Sequence, residues 1–135
     1  MISRANLIIL ACLMLTACSG IKARDQVDRL NNSLIQYGAA LRWDRINMAY
    51  AFHVDRDGNQ PSYDLDYMEN FSVTDFRTVE PDVNNEEGTE ATVPVEIDYY
   101  DERTGNLRKL KYTQIWWYRE ESRQWYTESP FPDFK

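Results

Sequence analysis

The sequence predicts an α+β domain in which N-terminal helices precede about four antiparallel strands. Two observations carry this prediction. From Arg24 to Leu41 the apolar residues Val27, Leu30, Leu34, Tyr37 and Leu41 recur at steps of 3, 4, 3 and 4, which is one face of an amphipathic helix. From about Asn70 onward the apolar period changes to two, and the runs are separated by Gly, Pro, Asn and Asp.

The first helix tolerates Gly38 at a small cost in propensity. A second, shorter helix is predicted within "WDRINMAYAFHV", capped by Asp44, with Ile46, Ala49 and Tyr50 facing inward. "DRDGNQPSYD" is turn chemistry, broken by Gly58 and Pro61. "NFSVTDFRTVE" is a strand with an irregularity near Asp75, and "NNEEG" is a loop. "ATVPVEIDYY" alternates, with Val93, Val95, Ile97 and Tyr99 on one face and Thr92, Glu96 and Asp98 on the other. Pro94 has no N–H, so this strand is expected at a sheet edge or bulged there. "DERTGN" turns a hairpin with Gly105 at positive φ.

The last hairpin, "LRKLKYTQIWWYRE" to "QWYTESPF", is rich in aromatic residues. Centred at Glu121, it pairs Trp117 with Trp125, Trp116 with Tyr126, and Ile115 with Thr127. Both faces then carry an aromatic pair, which a sheet with one wet face should not show. One face is expected on the helices. The other needs a cavity, a second subunit or further cover from the chain, or else it shields a curved sheet with its polar tips in water. Trp116, Trp117, Tyr118, Trp125 and Tyr126 are therefore the candidate residues for a partner or ligand.

Ahead of the domain stands "MISRANLIILACLMLTAC", with Arg4 as a positive n-region and an apolar run from Leu7 to Leu15. The run is shorter than the roughly 20 residues of a membrane-spanning helix. Leu15-Thr16-Ala17-Cys18 resembles the lipobox of bacterial lipoproteins. The resemblance implies that residues 1–17 are a removed signal peptide, that Cys18 is lipidated, and that residues 18–23 form a short tether to a single domain over 24–135. Two or more acyl chains make such attachment stable where one does not. Cys12 leaves with the leader, so Cys18 is the only mature cysteine, and acylation accounts for a thiol that would otherwise be free. Ser19, in place of Asp, implies the outer membrane facing the periplasm if the source has two membranes.

Cleavage of 17 residues from the 135-residue chain leaves 118, one domain large enough for a core without disulfides. Arg4 is lost, so 14 basic residues face 22 acidic ones and the net charge is −8. Such a domain is a poor ligand for nucleic acid or anionic lipid, so the lipid on Cys18 is its expected hold on the membrane. Lys22, Arg24 and Arg29 are read as a solvated helix end. The sequons at Asn31 and Asn70 matter only in a eukaryotic secretory route, which the lipobox opposes.

"YGAALRWDRINMAY" followed by long strands from "VPVEIDYY" to "SPFPDF", with W-x7-W at Trp117 and Trp125, resembles the nuclear transport factor 2-like superfamily. That resemblance implies a cone in which a strongly curved antiparallel sheet, also described as cystatin-like, wraps the helices. It also covers small lipoproteins with no assigned activity. Its members include isomerases and dehydratases as well as proteins that only bind or dimerise, so the fold does not settle function. The expected function is a non-catalytic binding or assembly module acting through its aromatic sheet face. Its partner would be a second copy or another envelope protein. The alternative is a small-ligand carrier or an isomerase- or dehydratase-like enzyme using the cone interior.

Catalytic motifs are missing: no nucleophile elbow, Walker loop, HExxH or dinucleotide fingerprint occurs, and no cofactor is expected. Asp44, Tyr50, His53 and Asp98 are the polar residues nearest the apolar faces. His53, the single histidine, is expected as a solvated residue beside Asp55 and Asp57. "HVDRDGNQPSYD" approaches a calcium loop, but His53 stands where the first acid belongs, and Pro61 interrupts it, so a polar turn is expected. No metal site is expected. "LRKLK" is read as basic protection of a strand edge.

Overall fold

The computed structural model describes residues 4–135, with side chains from residue 20 onward. Residues 1–3, and the side chains of the predicted leader and of Cys18, lie outside the described residues. The fold is α+β: one long helix and a strongly curled, half-barrel antiparallel sheet. Helix α1 spans Arg4–Arg42, α2 spans Ile46–Tyr50, and a 3-10 turn covers Tyr67–Asn70. The strands are β1 (Phe71–Thr78), β2 (Asp82–Val83), β3 (Glu90–Asp101), β4 (Asn106–Arg119) and β5 (Gln124–Thr127). Their order is β1-β3-β4-β5, with the two-residue β2 also paired to β3. Among the described residues, no helix is long and apolar enough to cross a membrane.

Leu30, Leu34, Tyr37 and Leu41 are buried, so the 3-4-3-4 face is the core face of α1. The helix also continues N-terminally through residues 20–23. That part of the predicted tether rises about 1.5 Å per residue, less than half its extended length. Gly38 has a packing reason. A Cβ there would collide with Cδ1 of Phe76, so the glycine lets α1 lie close on β1. Asp44 does not cap α2. It sits at φ +55° in the turn between the helices, and Arg45 occupies the cap position without a side-chain hydrogen bond.

The irregularity near Asp75 is a β-bulge. Val73 pairs with Tyr99, Asp75 pairs with Asp98, and Thr74 is the extra residue. The added residue resets the strand's phase, so that Phe76, like Phe71 and Val73, packs against the core. On β3, Val93, Val95, Ile97 and Tyr99 are buried, as the alternation predicts. Pro94, however, is neither on an edge strand nor bulged. β3 is central, and its register with β4 runs unbroken from Glu90 opposite Trp117 to Asp101 opposite Asn106. The Pro94 carbonyl accepts from the N–H of Val79, just past the end of β1, and β2 resumes pairing only at Thr92. The missing N–H therefore falls in the gap between β1 and β2, where no ladder bond is required. The C-terminal tail closes the core with Phe131 and Phe134, and Phe134 packs edge-to-face on Tyr99 at 4.8 Å.

Candidate functional site

The concave side of the sheet is where a cone-shaped protein would keep a ligand, and here it holds a chain of buried polar groups. Tyr37 reaches it from the core face of α1, His53 from just beyond α2, and Tyr112, Gln114 and Trp116 from alternate positions of β4. His53 Nδ1 lies 2.8 Å from the Ser129 carbonyl, and Nε2 lies 2.9 Å from the Tyr37 hydroxyl. A carbonyl only accepts, so Nδ1 carries the hydrogen and Nε2 accepts from the Tyr37 O–H. Gln114 Nε2 donates to Tyr112 Oη (2.7 Å) and to Tyr37 Oη (3.3 Å), and Gln114 Oε1 accepts from Trp116 Nε1 (3.0 Å). The donors of His53, Tyr37, Gln114 and Trp116 thus each have an acceptor. Among the described residues, no buried side-chain nitrogen or oxygen is left without a partner.

His53 is therefore not a solvated residue. It is completely enclosed, because the segment after α2 runs alongside β5: Thr127 donates to the Phe52 carbonyl, and Val54 donates to the Thr127 carbonyl. Burial lowers its pKa from the usual 6.5 to about 4, against the opposing pull of the Ser129 carbonyl. Burial likewise raises the Tyr37 hydroxyl well above its ordinary value. Neither group changes charge near neutral pH. An acid–base pair needs a group that titrates near the working pH and can reach the substrate. Tyr37 instead packs edge-to-face on Phe52, Phe76 and Trp116 at 5.5–5.9 Å, and these rings fill the space around it.

The aromatic hairpin is shifted by one residue from its predicted register. Trp116 pairs with Thr127, Trp117 with Tyr126, and Tyr118 with Trp125. The cause is the loop, which holds four residues, Glu120–Arg123, and closes with Arg123 at φ +54°. A centre at Glu121 would need an odd number. Both faces still carry an aromatic pair, but with different partners. Trp116 and Trp125 are wholly enclosed and Tyr118 nearly so. Trp125 Nε1 donates to the Gln26 carbonyl of α1 at 2.8 Å, tying hairpin to helix. On the other face Trp117 is only 7% exposed. Its Nε1 donates to the Val54 carbonyl (2.8 Å), Tyr126 packs beside it at 5.6 Å, and the Arg119 guanidinium lies 5.1 Å from both ring centres. The second face is thus covered by the chain itself. A partner laid on it would meet Arg119 and the rims of Trp117 and Tyr126, not Trp116 or Trp125.

The other polar candidates do not converge. Asp44 is in an exposed turn, and the Tyr50 hydroxyl donates to the Pro61 carbonyl. Asp98 belongs to a charged ladder on the convex side, where Arg77 bonds Asp75, Glu96 and Asp98. Lys109 and Lys111 of "LRKLK" join it through Glu96, whose carboxyl they and Arg77 hold down at about 2. Asp55 accepts the N–H groups of Asp57 and Asn59, and these bonds, that of Asn59 foremost, lower its pKa. The near-calcium loop is thus a polar turn. Among the described residues, no three His, Cys, Asp or Glu side chains gather where a metal could sit.

One surface feature has no counterpart among the residues singled out from the sequence. Trp43, at the C-terminal end of α1, is 71% exposed, and Met48 of α2 is 56% exposed. They flank a groove of about 440 Å3. The signal for Trp43 is present in the sequence, since it falls off the face defined by Tyr37 and Leu41. That α2 folds back beside it is a tertiary fact. Compared with known protein families, with characterised proteins and with solved structures, the chain has no significant match to any of them.

Proposed function

We propose that this chain is a bacterial lipoprotein, held by lipid on Cys18 at the periplasmic face of the outer membrane. Its domain is a nuclear transport factor 2-like cone acting as a non-catalytic binding or assembly module. The anchor rests on Leu15-Thr16-Ala17-Cys18 at the end of the apolar run. The curled sheet around a long helix is compatible with the cone. The observation that carries the non-catalytic reading is the filled, fully bonded interior, in which the one histidine is neutral and enclosed. In this reading Trp116 and Trp125 are ribs of the domain, and the partner binds elsewhere on its surface.

The anchor is tested by labelling cells with an alkyne-bearing fatty acid and separating their membranes. The wild-type chain should take up the label and sediment with the outer membrane. Cys18→Ala should lose the label and appear soluble. An unlabelled wild type, or a labelled Cys18→Ala, would remove the anchor from the proposal. The filled interior is tested separately with a hydrophobic probe such as a steroid or long-chain fatty acid. Stoichiometric binding that leaves Trp43 accessible would restore the carrier reading.

A further inference from the structure

We propose that the groove between the C-terminal half of α1 and α2 docks an acidic, amphipathic segment of a partner protein. Its floor is made of small residues, Ala39, Ala40 and Ala51, and its walls include Trp43 and Met48. A small-residue floor between an aromatic and a flexible thioether wall accepts one apolar side chain after another along a peptide. Met adapts its shape to the guest, and Trp contributes a large contact area with few rotamers to fix. Both walls are more than half exposed in this chain, so the groove is open to such a guest.

The charge around the groove selects the guest. The chain as a whole carries −7, yet no Asp or Glu occurs from Arg29 to Trp43. Arg45 lines the groove and Arg42 flanks the same helix end. Neither takes part in an ion pair among the described residues. Asp44 is the single acid in the intervening turn. The groove itself is thus lined by a cation, Arg45, and by no acid, whereas the neighbouring cleft at α2 is lined by Asp44, Asp66 and Glu69. A second copy seated here symmetrically would bring like arginines together, whereas an acidic segment neutralises them.

Position agrees with the same guest. From residue 18 to Trp43 the helix rises about 37 Å at 1.5 Å per residue. If Cys18 holds the membrane, as proposed above, the groove lies at the far end of α1 from it. The chemistry of the groove does not depend on that anchor.

The test uses the full chain purified in detergent and a random 12-residue peptide library displayed on phage. Enriched peptides should combine Leu, Ile or Phe anchors with Asp or Glu. Made synthetically and followed by fluorescence anisotropy, they should bind Trp43→Ala at least tenfold more weakly. Arg45→Glu should weaken them at least threefold and favour versions with Lys in place of the acids. Trp43 is largely exposed, so unchanged circular dichroism and thermal midpoint are expected for its variant. If that variant fails to fold, Met48→Glu provides the same reading. Enrichment no better than on Trp43→Ala, or a neutral or basic consensus, would overturn the proposal. So would a dimer in sedimentation equilibrium that Trp43→Ala dissociates, since a second copy would then own the groove. Loss of lipid on Cys18 leaves every one of these readings intact.

Discussion

Lowering the pH from 8 to 5 should cost this domain about 2 kcal/mol of stability through His53 alone. The folded-state pKa is about 4, against 6.5 in the unfolded chain. Above 6.5 neither state binds the proton, and the two are balanced. Below 6.5 the unfolded chain takes it up while the folded state refuses it, so stability falls with the pH. The loss approaches 1.4 kcal/mol per pH unit, reaches about 2 kcal/mol by pH 5 and is complete, at about 3 kcal/mol, below pH 4. The shifted carboxylates add nothing between pH 8 and 5. Those of Asp55, Glu96, Asp98 and Asp101 are held below their ordinary values, so their contributions are lost only as the pH falls below about 4.5. The chain has a single histidine. Urea unfolding followed by tryptophan fluorescence at several pH values measures the slope, with the enclosed Trp116 and Trp125 as reporters. His53→Gln keeps a donor and an acceptor but removes the titration, so its stability should be flat from pH 7.5 to 5. A flat wild type, or a His53→Gln that keeps the slope, would refute the enclosure of this imidazole.

Trp116→Ala should cost about 3–5 kcal/mol, because it removes a wholly enclosed ring and leaves Gln114 Oε1 without its donor; a urea midpoint close to wild type would contradict this. Gly38→Ala should destabilise by about 1–2 kcal/mol despite the helix propensity it gains, because its methyl collides with Phe76. The reversal is specific: Gly38→Ala combined with Phe76→Leu should recover part of the loss in the same thermal melt.

Much of the fold was legible in sequence, and the reasons are local. The core face of α1 follows from steps of 3 and 4, the buried face of β3 follows from alternation, and Gly58 and Gly105 mark turns at positive φ. Where the reading slipped, a longer-range constraint decided. The hairpin register depended on whether its loop held an odd or even number of residues, and one residue exchanges every partner. Pro94 was expected at an edge because the ladder needs its N–H. The break between β1 and β2 supplies a place where it does not. β2 itself, two residues long, carries no periodicity to read.

The candidate site was less legible. His53 sits in a polar stretch of sequence, and only the pairing of residues 52–54 with Thr127 encloses it. Tyr37 and Ser129 are far apart in the chain, and no spacing announces that they meet at one imidazole or that Gln114 joins them through the Tyr37 hydroxyl. By itself the sequence determined the α+β class and the core faces of α1 and β3. These depend on period and on neighbouring residues. Tertiary structure alone decided that the interior is a closed hydrogen-bonded network and that Trp43 and Met48 share an open groove. Burial and convergence belong to surfaces brought together from distant positions, and no local pattern encodes them.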